Sequence, residues 1–356
     1  AGIDRNTPDP PGGTIDRSPD TGEPTGILRE NAMGLVWRHV PDLTVTDLKA
    51  TIREAAIQAA AFGLTSVQTN DLDGAATMDI RLEAFRQLAQ SGDLPIRINL
   101  QAAMPTLADL HSYIKIRSEF REVSHLKLGP LKLFADGSLG AKTAALNAPY
   151  ADAPDTCGIP IYTQTELDEL VCEAARVNLQ VATHAIGDRA MDMVLDSYEQ
   201  AKRKFPSWTA RPRIVHCQIT SWRNLERMAA LGVVADIQPI FVPTDLHFVD
   251  RRVGQDRAAS SYAWKTMRKI GVRTAGGSDC PVESCNPLWG IHAAVTRQDR
   301  TGYPEGGWRP AEKLSPEEAI ELFTIGSAYA CHEEAIKGTL SPGKLADFVV
   351  LPANPA

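Results

Sequence analysis

Two hydrophobic periods alternate along this chain. From about residue 44 onward, stretches with apolar residues three or four apart follow short β-rich runs, and the alternation repeats down the sequence. In "TDLKATIREAAIQAAAFG", Leu48, Ile52, Ala55, Ala59 and Phe62 fall on one helical face, and Gly63 supplies a stop. Further helices are predicted near 76–91, 106–119 and 165–177, from Asp188 to about 204, from Ser221, near 259–269 and across "NPLWGIHAAVTRQ". Between them, strands are expected at 64–70, 95–103, 126–134, 179–184, 213–219, 233–239 and 272–279. A last helix is signposted by Ser315 as N-cap, Pro316 in its first position and a glutamate at 318 closing a capping box.

Strands and helices in strict alternation predict an α/β fold, a parallel sheet joined by crossover helices. Seven strands are one short of a closed eight-stranded barrel. A doubly wound sheet tolerates seven, but no Gly-rich dinucleotide fingerprint and no phosphate-loop motif follows any strand. The two ends differ from the rest. Residues 1–43 are rich in Pro, Gly and Asp and are expected to form a long loop region. The last segment, "KGTLSPGKLADFVVLPANP", predicts a turn and one strand, Ala346 to Leu351, with no obvious neighbour.

Composition narrows the field. Of 356 residues 43% are hydrophobic, enough for one core of barrel size. The net charge of −7 and the lack of Lys/Arg clusters interleaved with aromatics argue against a nucleic-acid partner. The densest basic spot, "AKRKF" at 201–205, closes a helix pattern, where cations suit the dipole. No apolar run approaches the roughly 18 residues of a membrane span, and no signal-peptide pattern opens the chain. Six scattered cysteines without a C-x-x-C read as reduced thiols, which suggests a cytoplasmic protein.

The candidate chemistry sits at strand ends. Lys132, His184, His216 and Asp279 each close a predicted strand with a group that binds a metal or moves a proton. The intervals are 52, 32 and 63 residues, against roughly 30 for one strand–helix unit of a barrel. Thus 32 places His184 and His216 on adjacent strands, 63 spans two units, and 52 is one unit plus the loop Asp136–Tyr162. In a parallel barrel these ends share one mouth, where active sites lie. Taken singly, each has a plainer reading: a hydrogen-bonded core histidine, an aspartate capping a turn, a salt-bridged lysine. A lysine among apolar residues and near cations would have its charged form disfavoured, leaving a reactive amine. His247, after a strand, is a candidate for the substrate pocket, whereas His39, His125, His292 and His332 lack partners at ligand spacing. A serine hydrolase is disfavoured, since no G-x-S-x-G elbow occurs.

At these residues the chain resembles the amidohydrolase superfamily, in particular its amidohydrolase family 3 branch of N-substituted formamide deformylase-like metal-dependent hydrolases. The resemblance runs through "TPDPPGGTIDRSPDTGEPTGILRENA", "LKLFADGSLGAKTAAL", "HAIGDRAMDMVLDSYE", "RIVHCQI", "GSDCPVESCNPLWGIHAAVTR" and "LSPEEAIELFTIGSAYA" in order, and "KGTLSPGKLADFVVL" resembles the return to a small β-sandwich domain. It implies a TIM-type (β/α)8 barrel over 1–338 and the start of the sandwich return at 339–356. The branch carries a His-x-His pair on its first strand. This chain contains none, so the resemblance implies a chain that begins downstream of that strand.

The resemblance also implies roles. His184 and His216 match metal ligands, Lys132 matches a lysine often carboxylated to bridge two ions, and Asp279 matches an aspartate that binds metal and shuttles the proton. The implied cofactor is a divalent metal, zinc by preference, as one or two ions. The implied reaction is hydrolysis of a C–N bond, in an amide or N-substituted formamide, by attack of metal-bound hydroxide. Asp136, opening the loop to Tyr162, joins His247 as a candidate substrate-binding residue, and Trp37, Phe241 and Trp289 are candidate pocket walls. The expected partner is a small molecule, with neither nucleic acid nor membrane, and a homodimer is the assembly to test. Two alternatives stay open: a truncated or non-catalytic barrel relative that binds a small molecule or partner, and a lactonase or phosphotriesterase using the same ligands.

Overall fold

The computed structural model describes residues 1–354 apart from Asp42 and Glu122. The chain divides into two compact units, Ala1–Leu48 and Lys49–Ala356. The first is not the expected long loop. Strands β1 (Gly13–Arg17) and β2 (Pro24–Glu30) pair antiparallel, with Ile15 opposite Leu28. Polar contacts do much of the organising here. Arg29 forms an ion pair with Asp16, and the backbone N–H groups of Ser18 and Gly22 close the turn onto Glu23 and Ser18.

The second unit is α/β. Strands β3 (Ser66–Asp73), β4 (Arg97–Ala103), β5 (Leu126–Phe134), β6 (Val181–Ala185), β7 (Arg213–His216), β8 (Val234–Ile237) and β9 (Arg273–Gly276) form one parallel sheet in chain order. The sheet is a curled half-barrel of the seven expected strands. Helices α1 (Val45–Ala61), α2 (Ala75–Ser91), α3 (Leu107–Glu119), α4 (Gln164–Arg176), α5 (Asp188–Lys204) and α6 (Trp222–Leu231) alternate with the strands through β8. Their ends follow local chemistry. Thr163 with Glu166 and Ser221 with Asn224 form capping boxes, and Gly92 and Gly232 end α2 and α6 in the left-handed conformation, which side-chain-bearing residues rarely adopt. Lys202, Arg203 and Lys204 fall in the last turn of α5, as anticipated for "AKRKF". Among the described residues no helix is long and apolar enough to cross a membrane.

Two local expectations change. Of the helix expected near 259–269 only α7 (Trp264–Lys269) forms, after a separate turn of helix at Gln255–Ala258. Between them Ser260 and Thr220 exchange side-chain to carbonyl hydrogen bonds, and Tyr262 turns left-handed so that its N–H reaches Gln218 O at 3.0 Å. Those contacts satisfy the backbone outside a helix. The expected strand at 346–351 is not formed; Asp347 instead pairs with Arg97 at 2.9 Å, and no ladder partner is present among the described residues. Helices α8 (Pro287–Thr296) and α9 (Pro316–Glu321) complete the unit, the latter with Ser315 and Glu318 in the expected capping box.

Candidate metal centre at the strand ends

Sheet register brings the two histidines together. Phe134, the last residue of β5, lies opposite His184, and His216, the last of β7, lies opposite Ala185. The imidazoles of His184 and His216 meet edge to face, with ring centroids 4.4 Å apart. His216 is buried, and its Nδ1 has no hydrogen-bond partner. Burial, then the neighbouring His184 and Lys132, hold its pKa well below the usual imidazole range, so the ring stays neutral and keeps a lone pair. The backbone beneath is strained: φ is +81° at His216, +50° at Cys217 and +55° at Asp279, a left-handed region that costs side-chain-bearing residues free energy.

Lys132 sits two residues before the end of β5, 2% exposed. Its Nζ donates to Leu133 O at 3.2 Å and lies 3.8 Å from the Phe134 ring centre. Burial pushes its pKa down to about 7, against the opposing pull of the carboxylates of Asp279, Asp236 and Asp136. Burial is thus the main cause, with the Arg213 guanidinium adding to it.

Asp136 has a different place from the one expected. It is 1% exposed, and its carboxylate accepts hydrogen bonds from the backbone N–H groups of Ala145 at 2.8 Å, Ile186 at 3.0 Å and Gly187 at 2.8 Å. Its Oδ1 is also 3.2 Å from Nε2 of His184, which further contacts Gly137 O at 3.1 Å. Asp136 therefore ties the loop after β5 to the turn after β6 and orients His184. Gly187 is required there, because a Cβ would lie 1.9 Å from Ala145 O.

Not every candidate joins this group. Asp279 is exposed on the turn after β9 and reaches Lys132 through charge. His247 is half-exposed; its Nε2 contacts Asp299 at 3.0 Å and its ring stacks on Tyr303 at 5.8 Å, so its contacts lie with those residues. Of the proposed walls, Phe241 stacks on His216 at 5.9 Å, whereas Trp289 packs under Arg300 and Trp37 is 66% exposed. Among the described residues no three His, Cys, Asp or Glu side chains meet as a metal cluster. The gathered donors are two imidazoles and one amine. Neutral imidazole suits zinc and related divalent ions, and the unpartnered Nδ1 of His216 is a buried donor awaiting a partner, so these residues fit such an ion as part of its coordination.

Two residues of the site were not anticipated. Asp236 of β8 forms a buried ion pair with Arg213, Nε to Oδ2 at 2.7 Å, and Arg213 also reaches Gln68 at 2.7 Å. Burial raises the pKa of Asp236, opposed by Arg213. The one signal was an acidic residue inside the apolar run "VVADIQP". Phe134, flanking both Lys132 and His184, was hidden in an ordinary strand end.

The family model described as "Amidohydrolase family" matches residues 1–356. A putative amidohydrolase of Bacillus subtilis, YtcJ, is 35% identical over 358 residues, covering 100% of this chain and 65% of the relative. The N-substituted formamide deformylase of Arthrobacter pascens is 26% identical, with 99% of this chain and 65% of the relative covered. An uncharacterized metal-dependent hydrolase of Pyrococcus furiosus superposes with a TM-score of 0.77 at 32% identity, over 96% of this chain and 68% of that one. The chain thus spans about 65% of the length of these curated relatives.

Proposed function

The chain belongs to the amidohydrolase family, and on that premise we propose that it carries the strand-end site of a metal-dependent hydrolase that cleaves the C–N bond of an amide or N-substituted formamide. The observation that carries this reading is the contact between His184 and the buried, unpartnered imidazole of His216. These two residues would hold the ion, with Lys132 beside them and Asp279 on the neighbouring rim. When bound, a divalent metal there supplies an activated water and polarises the scissile carbonyl.

The chain's own groups supply the rest. Asp279, exposed at the rim, accepts the proton of the attacking water on its carboxylate and returns it to the departing nitrogen. Asp136 positions His184 by accepting the backbone N–H groups of Ile186 and Gly187 just after it and by contacting its Nε2. Lys132, with its pKa near 7, presents a neutral amine that carbon dioxide can carboxylate: the N–C bond forms and Nζ releases a proton, and the resulting carbamate would offer an anionic oxygen donor to a bound ion. Phe134 and Phe241 flank the imidazoles and favour an apolar substituent on the substrate nitrogen. Seven parallel strands in chain order are what the larger part of a (β/α)8 barrel contains, and we read the half-barrel so.

A second reading, a non-catalytic relative that binds a small molecule, is favoured by one observation: no third conventional ligand joins the histidines among the described residues. A panel of N-formyl amines, N-acyl amines, lactones and phosphotriesters, offered with zinc, tests both. Turnover confined to the C–N substrates, and lost in Asp279→Asn, is the expected result. Turnover of lactones or phosphotriesters alone, or no turnover at all, would displace the proposal.

A further inference from the structure

The turn that carries His216 is left-handed at two successive residues, and backbone of that kind persists only where the surroundings hold it. On one side the N–H groups of Cys217 and Ile219 donate to Ala185 O at 3.2 Å and Ile186 O at 2.8 Å, which ties the turn to the end of β6. On the other side lie Asp245 and Tyr262, which the hydrolase chemistry above does not use.

Asp245 closes the helical turn Val242–Asp245 after β8. It is buried, and its Oδ2 accepts two hydrogen bonds, from the Tyr262 hydroxyl at 2.5 Å and from Gln218 Nε2 at 3.3 Å. Tyr262 returns to the same glutamine, its backbone N–H donating to Gln218 O at 3.0 Å. The three residues thus close a ring of contacts on Gln218, two positions beyond His216. Tyr262 is a firm anchor for that ring. Its side chain is buried edge to face against Trp264 and Trp308, and its carbonyl accepts from the Arg297 guanidinium at 3.2 Å. Asp245 also bears on His216 from a second direction. Phe241, about one helical turn before it, stacks on the His216 ring with centroids 5.9 Å apart.

We propose that Asp245 is a positioning residue for His216. Its carboxylate locks Gln218 to Tyr262, which holds the left-handed backbone at 216 and 217, and it fixes the turn that presents Phe241. The His216 imidazole then keeps its place beside His184. The proposal rests on the reading of His216 as a metal ligand. Groups that orient a ligand in advance strengthen metal binding, because the ion no longer bears the cost of ordering it.

Two readouts on folded protein test it: the His216 ring resonances by NMR in metal-free chain carrying isotope-labelled histidine, and zinc affinity by competition dialysis. In Asp245→Ala the His216 resonances shift and broaden, and zinc binds about tenfold more weakly. Asp245→Asn restores both, because its one amide oxygen accepts the same two hydrogen bonds. Tyr262→Phe, which removes only the hydroxyl, moves both readouts in the direction of Asp245→Ala by a smaller amount, and it decides the matter should Asp245→Ala fail to fold. A role in stability alone would leave both readouts at their parent values. Either readout unmoved in the deciding variant, or an Asn variant as impaired as Ala, would overturn the proposal. Absence of zinc from the parent would sink the hydrolase reading instead, and the metal-free resonances alone would then decide this one.

Discussion

Replacing Lys132 by Met should stabilise the protein below neutral pH, by an amount that fades as pH rises. The side chain is buried and its pKa is pushed down to about 7, from a lysine's ordinary value near 10.4. That gap corresponds to at most about 4–5 kcal/mol of burial cost for the charged form. The sign follows from proton counting. Below pH 7 the folded and unfolded chains both hold the proton, and the full cost weighs on the fold. Between about 7 and 10.4 only the unfolded chain holds it, so this group makes stability rise by about 1.4 kcal/mol per pH unit. Met keeps most of the stem's packing and carries no charge, but loses the contacts to Leu133 O and the Phe134 ring. A gain of about 2–4 kcal/mol at pH 6 is therefore expected, falling toward zero by about pH 10. Urea unfolding of both proteins at several pH values, without metal or bicarbonate, measures it. A Met variant less stable than its parent at pH 6, or a difference that does not change with pH, would refute the reasoning.

Other substitutions probe the frame around the histidines. Asp236→Asn leaves the Arg213 guanidinium buried without its carboxylate and should cost about 3–5 kcal/mol in urea unfolding; a loss within error would remove the pair from the account. Asp136→Asn replaces a carboxylate that accepts three backbone N–H groups with a weaker acceptor, and about 2–4 kcal/mol should be lost. Amide exchange should quicken at Ala145, Ile186 and Gly187 in that variant, and unchanged protection there would contradict its anchoring role. Asp279, exposed on its turn, should be replaceable by Asn with an unchanged melting temperature while any turnover of C–N substrates disappears.

The half-barrel was legible because its signals are local. Apolar runs such as 126–134 and 179–184 carry their own period, and Ser221 and Ser315 begin their helices with side chains that need only the next turn. Spacing alone was enough to set His184 and His216 on neighbouring strands, where their rings now touch. What escaped depends on partners distant in the chain. Asp136 anchors N–H groups up to 51 residues away, which no window around "FADG" can reveal. Asp236 is a polar residue in an apolar strand until Arg213 is placed beside it. The hairpin in 1–48 is held by Arg29 with Asp16 and by turn hydrogen bonds rather than by a repeating apolar face, so its composition read as loop. The run at 346–351 has strand character, but a strand needs a neighbour, and character alone does not supply one.

Everything proposed about reactivity rests on His184 and His216 acting as metal ligands. Equilibrium dialysis against zinc followed by elemental analysis tests this directly, comparing the parent chain with the His184→Ala, His216→Ala double variant at matched fold by circular dichroism. Stoichiometric zinc on the parent and its loss from the double variant are expected. Equal zinc on both proteins, or none on the parent, would contradict the assignment.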